Sequence, residues 1–229
     1  MKEFFDAAKS GDLIVLKEYL KKDIDINKSD DEGFTALMLA SIFNRKNIAE
    51  ELIKNNADIN LQTEENWTAL IFASFYGHYD IAELLLKNNA DLNIKNKQKF
   101  DALLTASFYK RTDIVRLLLE YNADVNTKDN EGFTPLIYAC NHDNTDTLKL
   151  LIKHNADINE KTNKGVNALM YACLMLKKDI VKELIKNNIN IKETDNNGDD
   201  AFVYLKSNEY DDDSSNLKDI KEIYNMLNV

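Results

Sequence analysis

Three histidines and two cysteines are the residues of this sequence best suited to acid–base, nucleophilic or metal chemistry. They are His78, His142, His154, Cys140 and Cys173. A catalytic pair or a metal site needs such side chains within hydrogen-bonding or coordination distance of one another. No nucleophile elbow, HExxH helix, Gly-rich phosphate loop or paired-Cys zinc motif is present. These side chains could meet in one site only if the fold brought their secondary-structure elements together.

The apolar residues recur with a constant step of 33 positions, which indicates an internal repeat. Most repeats also close on a similar string, such as Asn-Ala-Asp-Ile-Asn at 56–60. Three columns share the step: Ala7, Ala40, Ala73, Ala106, Ala139 and Ala172; Leu37, Leu70, Leu103, Leu136 and Leu169; and Leu52, Leu85, Leu118, Leu151 and Leu184.

A short polar residue precedes the apolar pattern in six successive repeats, at Thr35, Thr68, Asp101, Thr134, Asn167 and Asp200. Such residues accept hydrogen bonds from the free N–H groups of a first helical turn. After each one, the apolar spacing predicts two short antiparallel helices separated by a turn. Neither helix is long enough to be stable alone, so stability must come from stacking of neighbouring repeats.

The strings Gly132-Phe-Thr-Pro-Leu-Ile-Tyr-Ala139 and Gly77-His-Tyr-Asp-Ile81 resemble motifs of the ankyrin repeat family. The resemblance implies an all-α, ankyrin-like solenoid of stacked helix–turn–helix units with short hairpin loops, forming one elongated domain over 1–229. We expect an N-terminal capping repeat at 1–29, five full repeats at 30–194 and a C-terminal capping repeat at 195–229. The last contains an acidic loop at 207–216 and then a helix through Ile220, Ile223, Tyr224 and Leu227.

One departure from the family is the residue that ends each second helix. The family usually has Gly there, whereas this chain has Asn56, Asn89, Asn122, Asn155 and Asn188. Asn is the next-best residue for a left-handed backbone, so we expect these residues to terminate the helices.

In this arrangement the histidines occupy three different structural positions and do not converge. Cys140 and Cys173 are equivalent residues of neighbouring repeats, whose helices should lie about 8–10 Å apart. Because a disulfide needs Cα atoms within about 7 Å, we interpret both cysteines as small buried residues. We therefore expect no enzymatic activity, no cofactor and no metal.

Composition restricts the partners further. The net charge of −10 repels the phosphates of nucleic acid. No run approaches the roughly 18 apolar residues of a membrane span, and the first residues lack the apolar region of a signal peptide. We expect a cytoplasmic monomer with no membrane partner, although export as an effector stays open.

The resemblance places the hairpin tip and the exposed end of the first helix on a concave, partner-binding side. Both places are rich in aromatic residues. The competing interpretation is that these aromatic residues pack between repeats and do not bind a partner. For the hairpin-tip residues in particular, the sequence does not decide between the two. The predicted partner-binding residues are Phe34, Phe43, Trp67, Phe75, Tyr76, Phe100, Phe108, Tyr109, Phe133 and His142.

These features predict a non-catalytic protein–protein interaction module. An alternative is an effector or regulatory subunit that inhibits a partner enzyme. An enzyme of unrecognised type would need a deep polar pocket holding a carboxylate or histidine with a strongly shifted pKa.

Overall fold

A computed structural model describes residues 1–207 and 217–228. Within these residues the chain forms 14 helices and no β-strand, and the only β-type pairings are isolated bridges such as Ser29 with Thr35. Apart from Ser207, the predicted acidic loop at 207–216 lies outside the described residues. The helices group into two compact units, Met1–Ala123 and Asp124–Val229.

The N-terminal unit, Met1–Ala123, contains four helical pairs. In each pair the two helices pack on each other, and the first helices also pack on one another in the order α1, α3, α5, α7. The pairs are α1 (Lys2–Ser10) with α2 (Leu13–Leu20), α3 (Ala36–Ile42) with α4 (Lys46–Lys54), α5 (Ala69–Tyr76) with α6 (Tyr79–Lys87), and α7 (Ala102–Phe108) with α8 (Thr112–Glu120).

The C-terminal unit, Asp124–Val229, repeats this arrangement. Helix α11 packs between α9 and α13, and α14 packs on α12 and α13. The predicted last helix is present: Ile220, Ile223 and Leu227 are buried, while Tyr224 is exposed. The helices are α9 (Pro135–Asn141), α10 (Thr145–Lys153), α11 (Ala168–Leu174), α12 (Lys178–Lys186), α13 (Ala201–Lys206) and α14 (Leu217–Leu227).

The Leu and Ala columns form the core, as predicted. No member of the three columns exposes more than 3 % of its surface. Burying a leucine side chain contributes about 1.5–3 kcal/mol, and a helix shorter than about 12 residues cannot supply that stability by its own hydrogen bonds. The repeats are therefore held by contacts between neighbouring helices.

The predicted N-caps are also confirmed. All six polar residues precede a first helix and accept a hydrogen bond from its first turn. The Asp101 carboxylate, for example, accepts a 2.9 Å bond from the Leu104 N–H. The polar column thus fixes where each first helix begins.

Asparagine ends the second helices with the predicted left-handed backbone. The five residues from Asn56 to Asn188 in this column have φ between 61° and 65°. Asn is among the few residues other than Gly that adopt this conformation readily. The low Gly content is therefore compatible with regular helix ends.

A second set of asparagines joins consecutive repeats. In each case an Asn side-chain oxygen accepts a hydrogen bond of 2.8–3.0 Å from a backbone N–H located 31 residues later. We call this set the Asn ladder, and its pairs are Asn27 with Asp58, Asn60 with Asp91, Asn126 with Asp157, and Asn159 with Asn190.

Candidate functional site

The hairpin before each first helix holds one residue at its tip in a fixed position. In the first hairpin the Asp30 carboxylate accepts a 2.9 Å bond from the Phe34 N–H. Thr63 does the same for Trp67 at 3.1 Å, with its hydroxyl oxygen as the acceptor. Main-chain bonds from Asp30 to Phe34 and from Thr63 to Trp67 close the same turns. The tip rings are therefore placed by local hydrogen bonds.

These tip rings are half-buried against aromatic residues of the first helices. The ring centroids of Trp67 and Phe72 lie 5.0 Å apart in a stacked arrangement, and Phe34 meets Phe72 edge-on at 5.7 Å. Phe100 contacts Phe108 at 5.8 Å. The packing interpretation thus accounts for part of each tip ring, and the remainder of the ring faces solvent.

The helix ends, in contrast, carry exposed aromatic residues. Phe43, Tyr76 and Tyr109 expose 45 %, 43 % and 37 % of their surfaces. The half-buried Phe75 lies beneath two of them, with its ring centroid 4.8 Å from that of Tyr76 and 4.2 Å from that of Tyr109.

These rings form one connected series in the N-terminal unit. Phe75 also contacts Trp67 at 5.6 Å, and Tyr109 contacts Phe108 at 4.9 Å. Ring contacts therefore continue without a break from Phe34 to Phe100. We call this series the aromatic stripe, and its members are Phe34, Phe72, Trp67, Phe75, Tyr76, Tyr109, Phe108 and Phe100.

Three predicted site residues lie outside the aromatic stripe. Phe43 is exposed and makes no ring contact with any residue that the structure describes. Phe133 and His142 belong to the C-terminal unit and are half-buried. Both stack on Tyr138, with ring centroids 4.9 Å and 6.1 Å away respectively.

Sequence reasoning missed an aromatic column in the middle of the first helices. Phe72, Tyr138, Tyr171 and Tyr204 follow one another at multiples of the 33-residue step, so the periodicity contained the signal. The Tyr138 hydroxyl donates a 2.5 Å bond to the Asp129 carboxylate, and the Tyr204 hydroxyl donates a 2.9 Å bond to Asp195. Burial first and the carboxylate second raise the pKa of both tyrosines above its usual range. The two hydroxyls are therefore donors that tie a first helix to the hairpin before it.

The three histidines lie at the ends of three different helices, α6, α9 and α10. The His78 ring nitrogen Nε2 lies 3.1 Å from the Ile42 carbonyl oxygen. The equivalent residues Arg45 and Arg111 donate to the carbonyls of Lys9 and Phe75 in the same way. Among the described residues, no group of three or more His, Cys, Asp or Glu side chains is placed to hold a metal ion.

The two cysteines are reduced and fully buried. Burial raises the pKa of both, that of Cys173 to about 12, and only the thiolate is reactive. We expect neither thiol to react with a disulfide reagent near pH 8 in the folded protein, and both to react in concentrated guanidinium. Intact mass spectrometry counts the labels. Rapid labelling of the folded chain would contradict the assigned burial.

Comparison with protein families agrees with the repeat geometry. A model described as ankyrin repeats in three copies matches residues 4–96, 102–195 and 148–210, and a second model of ankyrin repeats matches 76–119. The chain belongs to the ankyrin repeat family. The ankyrin assignment and the helical pairs together establish an all-α repeat solenoid. A comparison with curated proteins found no match.

Membership of the ankyrin family gives a coarse functional class. Ankyrin repeats generally act as protein–protein interaction modules, and ankyrin-repeat proteins are typically non-catalytic. None of the described helices combines the length and the apolar character that crossing a membrane requires.

Proposed function

We propose that this chain recognises a protein partner through the aromatic stripe of its N-terminal unit. The observation that carries the proposal is the pair of exposed tyrosines, Tyr76 and Tyr109, both seated on the half-buried Phe75. The family resemblance implies that these helix ends face the partner-binding side.

The energetics of such a surface favour binding. Tyr and Trp dominate the energy of many protein interfaces, because they bury a large area and lose few rotamers. Tyr76 and Tyr109 already contact Phe75, so little side-chain freedom remains to be lost on association. The stripe would therefore act as a preformed surface, with little change in the backbone.

The proposed contact centres on Tyr76 and Tyr109, with Phe43 as a further exposed ring of the same unit. Trp67 is half-buried on Phe72, so truncating it would disturb packing as well as binding. Phe133 and His142 pack on Tyr138 and are not needed for this contact.

A photo-crosslinking amino acid at position 76 or 109 should capture one partner protein from cells, identified by mass spectrometry. With that partner purified, we expect Tyr76→Ala to weaken binding by about 30-fold, because an exposed interface tyrosine contributes about 2 kcal/mol. The thermal unfolding midpoint should change little.

Tyr79 is a matched control for this experiment. It is an exposed tyrosine of the same unit, at 42 %, but it begins the second helix α6. A crosslinker at 79 should capture no partner, and Tyr79→Ala should alter affinity less than twofold. Equal capture at 76 and 79, or unchanged affinity of Tyr76→Ala, would refute the proposal.

A further inference from the structure

A cleft between the first two hairpins of the N-terminal unit combines an aromatic wall with a carboxylate rim. Its volume is about 410 Å³. The wall consists of Phe34, Trp67 and Phe72, with the Trp67 and Phe72 rings inclined by only 27° to each other. The three rings are half-buried, so part of each remains accessible from the cleft.

The rim of this cleft is acidic. Asp31 and Glu32 line it from the first hairpin, and Glu64 and Glu65 line it from the second. Glu65 forms an ion pair with Lys97 at 2.9 Å. The other three carboxylates are exposed, and none forms an ion pair or a side-chain hydrogen bond with a described residue. The cleft therefore carries an excess of negative charge beside aromatic faces.

This combination selects the chemistry of the occupant. The face of an indole or phenyl ring attracts a cation, and the attraction is greatest for Trp. A carboxylate rim adds charge attraction and rejects anions such as phosphate groups. A neutral apolar side chain would leave the carboxylates without a partner.

Arginine satisfies the wall and the rim together. Its guanidinium is planar and weakly hydrated, so it stacks on a ring with a small desolvation cost. Its N–H groups at the edge can donate to two carboxylates while the face stacks. The lysine ammonium is a compact and strongly hydrated charge that cannot stack in this way.

We propose that this cleft, which we call the acidic aromatic cleft, binds an arginine side chain of the protein partner. This inference rests on the proposed protein-binding function, because it names the chemistry of one anchor of the partner. The partner segment would place one arginine between the two hairpins and an apolar surface on Tyr76 and Tyr109.

The test uses the purified full chain and three short peptides. The peptides have the form acetyl-Gly-Gly-X-Gly-Gly-amide, where X is arginine, lysine or citrulline, the neutral analogue of arginine. Trp67 is the only tryptophan of the chain, so its fluorescence reports directly on the cleft. We expect a saturable change with the arginine peptide, at least about 10-fold weaker binding of citrulline, and weakening by added salt.

Charge variants provide the second arm. The double variant Glu32→Gln with Glu64→Gln keeps the aromatic wall and should reduce affinity for the arginine peptide by about 10-fold. Glu50→Gln is the matched control, because Glu50 is an exposed carboxylate of the same unit on α4. It should leave affinity unchanged. Circular dichroism would verify that all variants fold.

The outcomes separate this inference from the proposed function. Equal binding of citrulline and arginine, or an unaffected double variant, would overturn the cationic site. Equal affinity for lysine would overturn the assignment of arginine. Crosslinking at position 76 is an independent readout: partner capture without arginine binding refutes the cleft alone, and arginine binding without capture refutes the stripe alone.

Discussion

Replacing Leu85 with alanine is expected to lower the free energy of unfolding by about 3 kcal/mol. Leu85 is fully buried in α6, whose neighbours in the N-terminal unit are α4, α5 and α8. Truncation removes apolar contacts and leaves a cavity that the surrounding helices fill only in part. The measurement is urea unfolding, followed by far-ultraviolet circular dichroism and by Trp67 fluorescence.

Leu84→Ala is the control for that experiment. Leu84 is next to Leu85 in the chain, and its replacement by alanine removes the same atoms, but Leu84 is only half-buried. We expect this variant to lower the free energy of unfolding by about 1 kcal/mol, since part of the Leu84 side chain is in contact with water in the folded protein. Equal losses for the two variants would show that the 33-residue leucine column does not mark the core. Two probes are needed because repeat proteins can unfold in more than one step.

Replacing Asp129 with alanine is expected to cost a similar amount, about 3 kcal/mol, although it removes no apolar contact. The buried Asp129 carboxylate accepts bonds from the Glu131 and Phe133 N–H groups and from the Tyr138 hydroxyl. Without it, the three donors lose their partner; the Tyr138 hydroxyl is buried and the two N–H groups are part-buried, and an unsatisfied buried group costs about 1–3 kcal/mol. Urea unfolding measures the loss.

Asp129→Asn should recover most of this stability. The amide keeps one acceptor oxygen for the two N–H groups, and its NH₂ can donate to the Tyr138 hydroxyl oxygen. Asp30→Ala offers a further comparison, because the Asp30 carboxylate accepts the equivalent N–H bonds in its own hairpin. The residue equivalent to Tyr138 in that repeat is Leu39, which has no hydroxyl. Asp30→Ala should therefore lower the free energy of unfolding by less than Asp129→Ala. If Asp129→Asn were as damaging as Asp129→Ala, the hydrogen-bond account would be wrong.

The fold was predictable from the sequence because the same pattern of residues recurs in each repeat. The leucine and alanine columns, the polar N-caps and the left-handed asparagines all lie where the 33-residue step puts them. Periodicity averages out local ambiguity, since six weak signals in one column are stronger than any single helix prediction. The prediction of one domain over 1–229 stays a prediction. The helices of the structure group into two compact units.

The site was predictable only in part. Exposure at Phe43, Tyr76 and Tyr109 followed from the fact that the core positions were already filled. The half-burial of Trp67 depends on the ring of Phe72, which lies five positions away in a helix, and the spacing rules do not specify ring orientation. The half-burial of His142, whose ring packs on Tyr138, likewise depends on ring orientation, and its assignment to the partner-binding surface stays a prediction.

The Asn ladder was not anticipated, since a hydrogen bond across 31 residues leaves no local pattern. Its regular spacing has a consequence for how such a chain can lengthen. If residues 61–93 were duplicated in tandem, the first copy of Asp91 would meet Asn60 as before, and the second would meet Asn93, which stands 33 residues after Asn60. Both junctions would then inherit a complete donor and acceptor pair. A gene that gains one such segment therefore adds a repeat that carries its own ladder asparagine and its own backbone N–H donor.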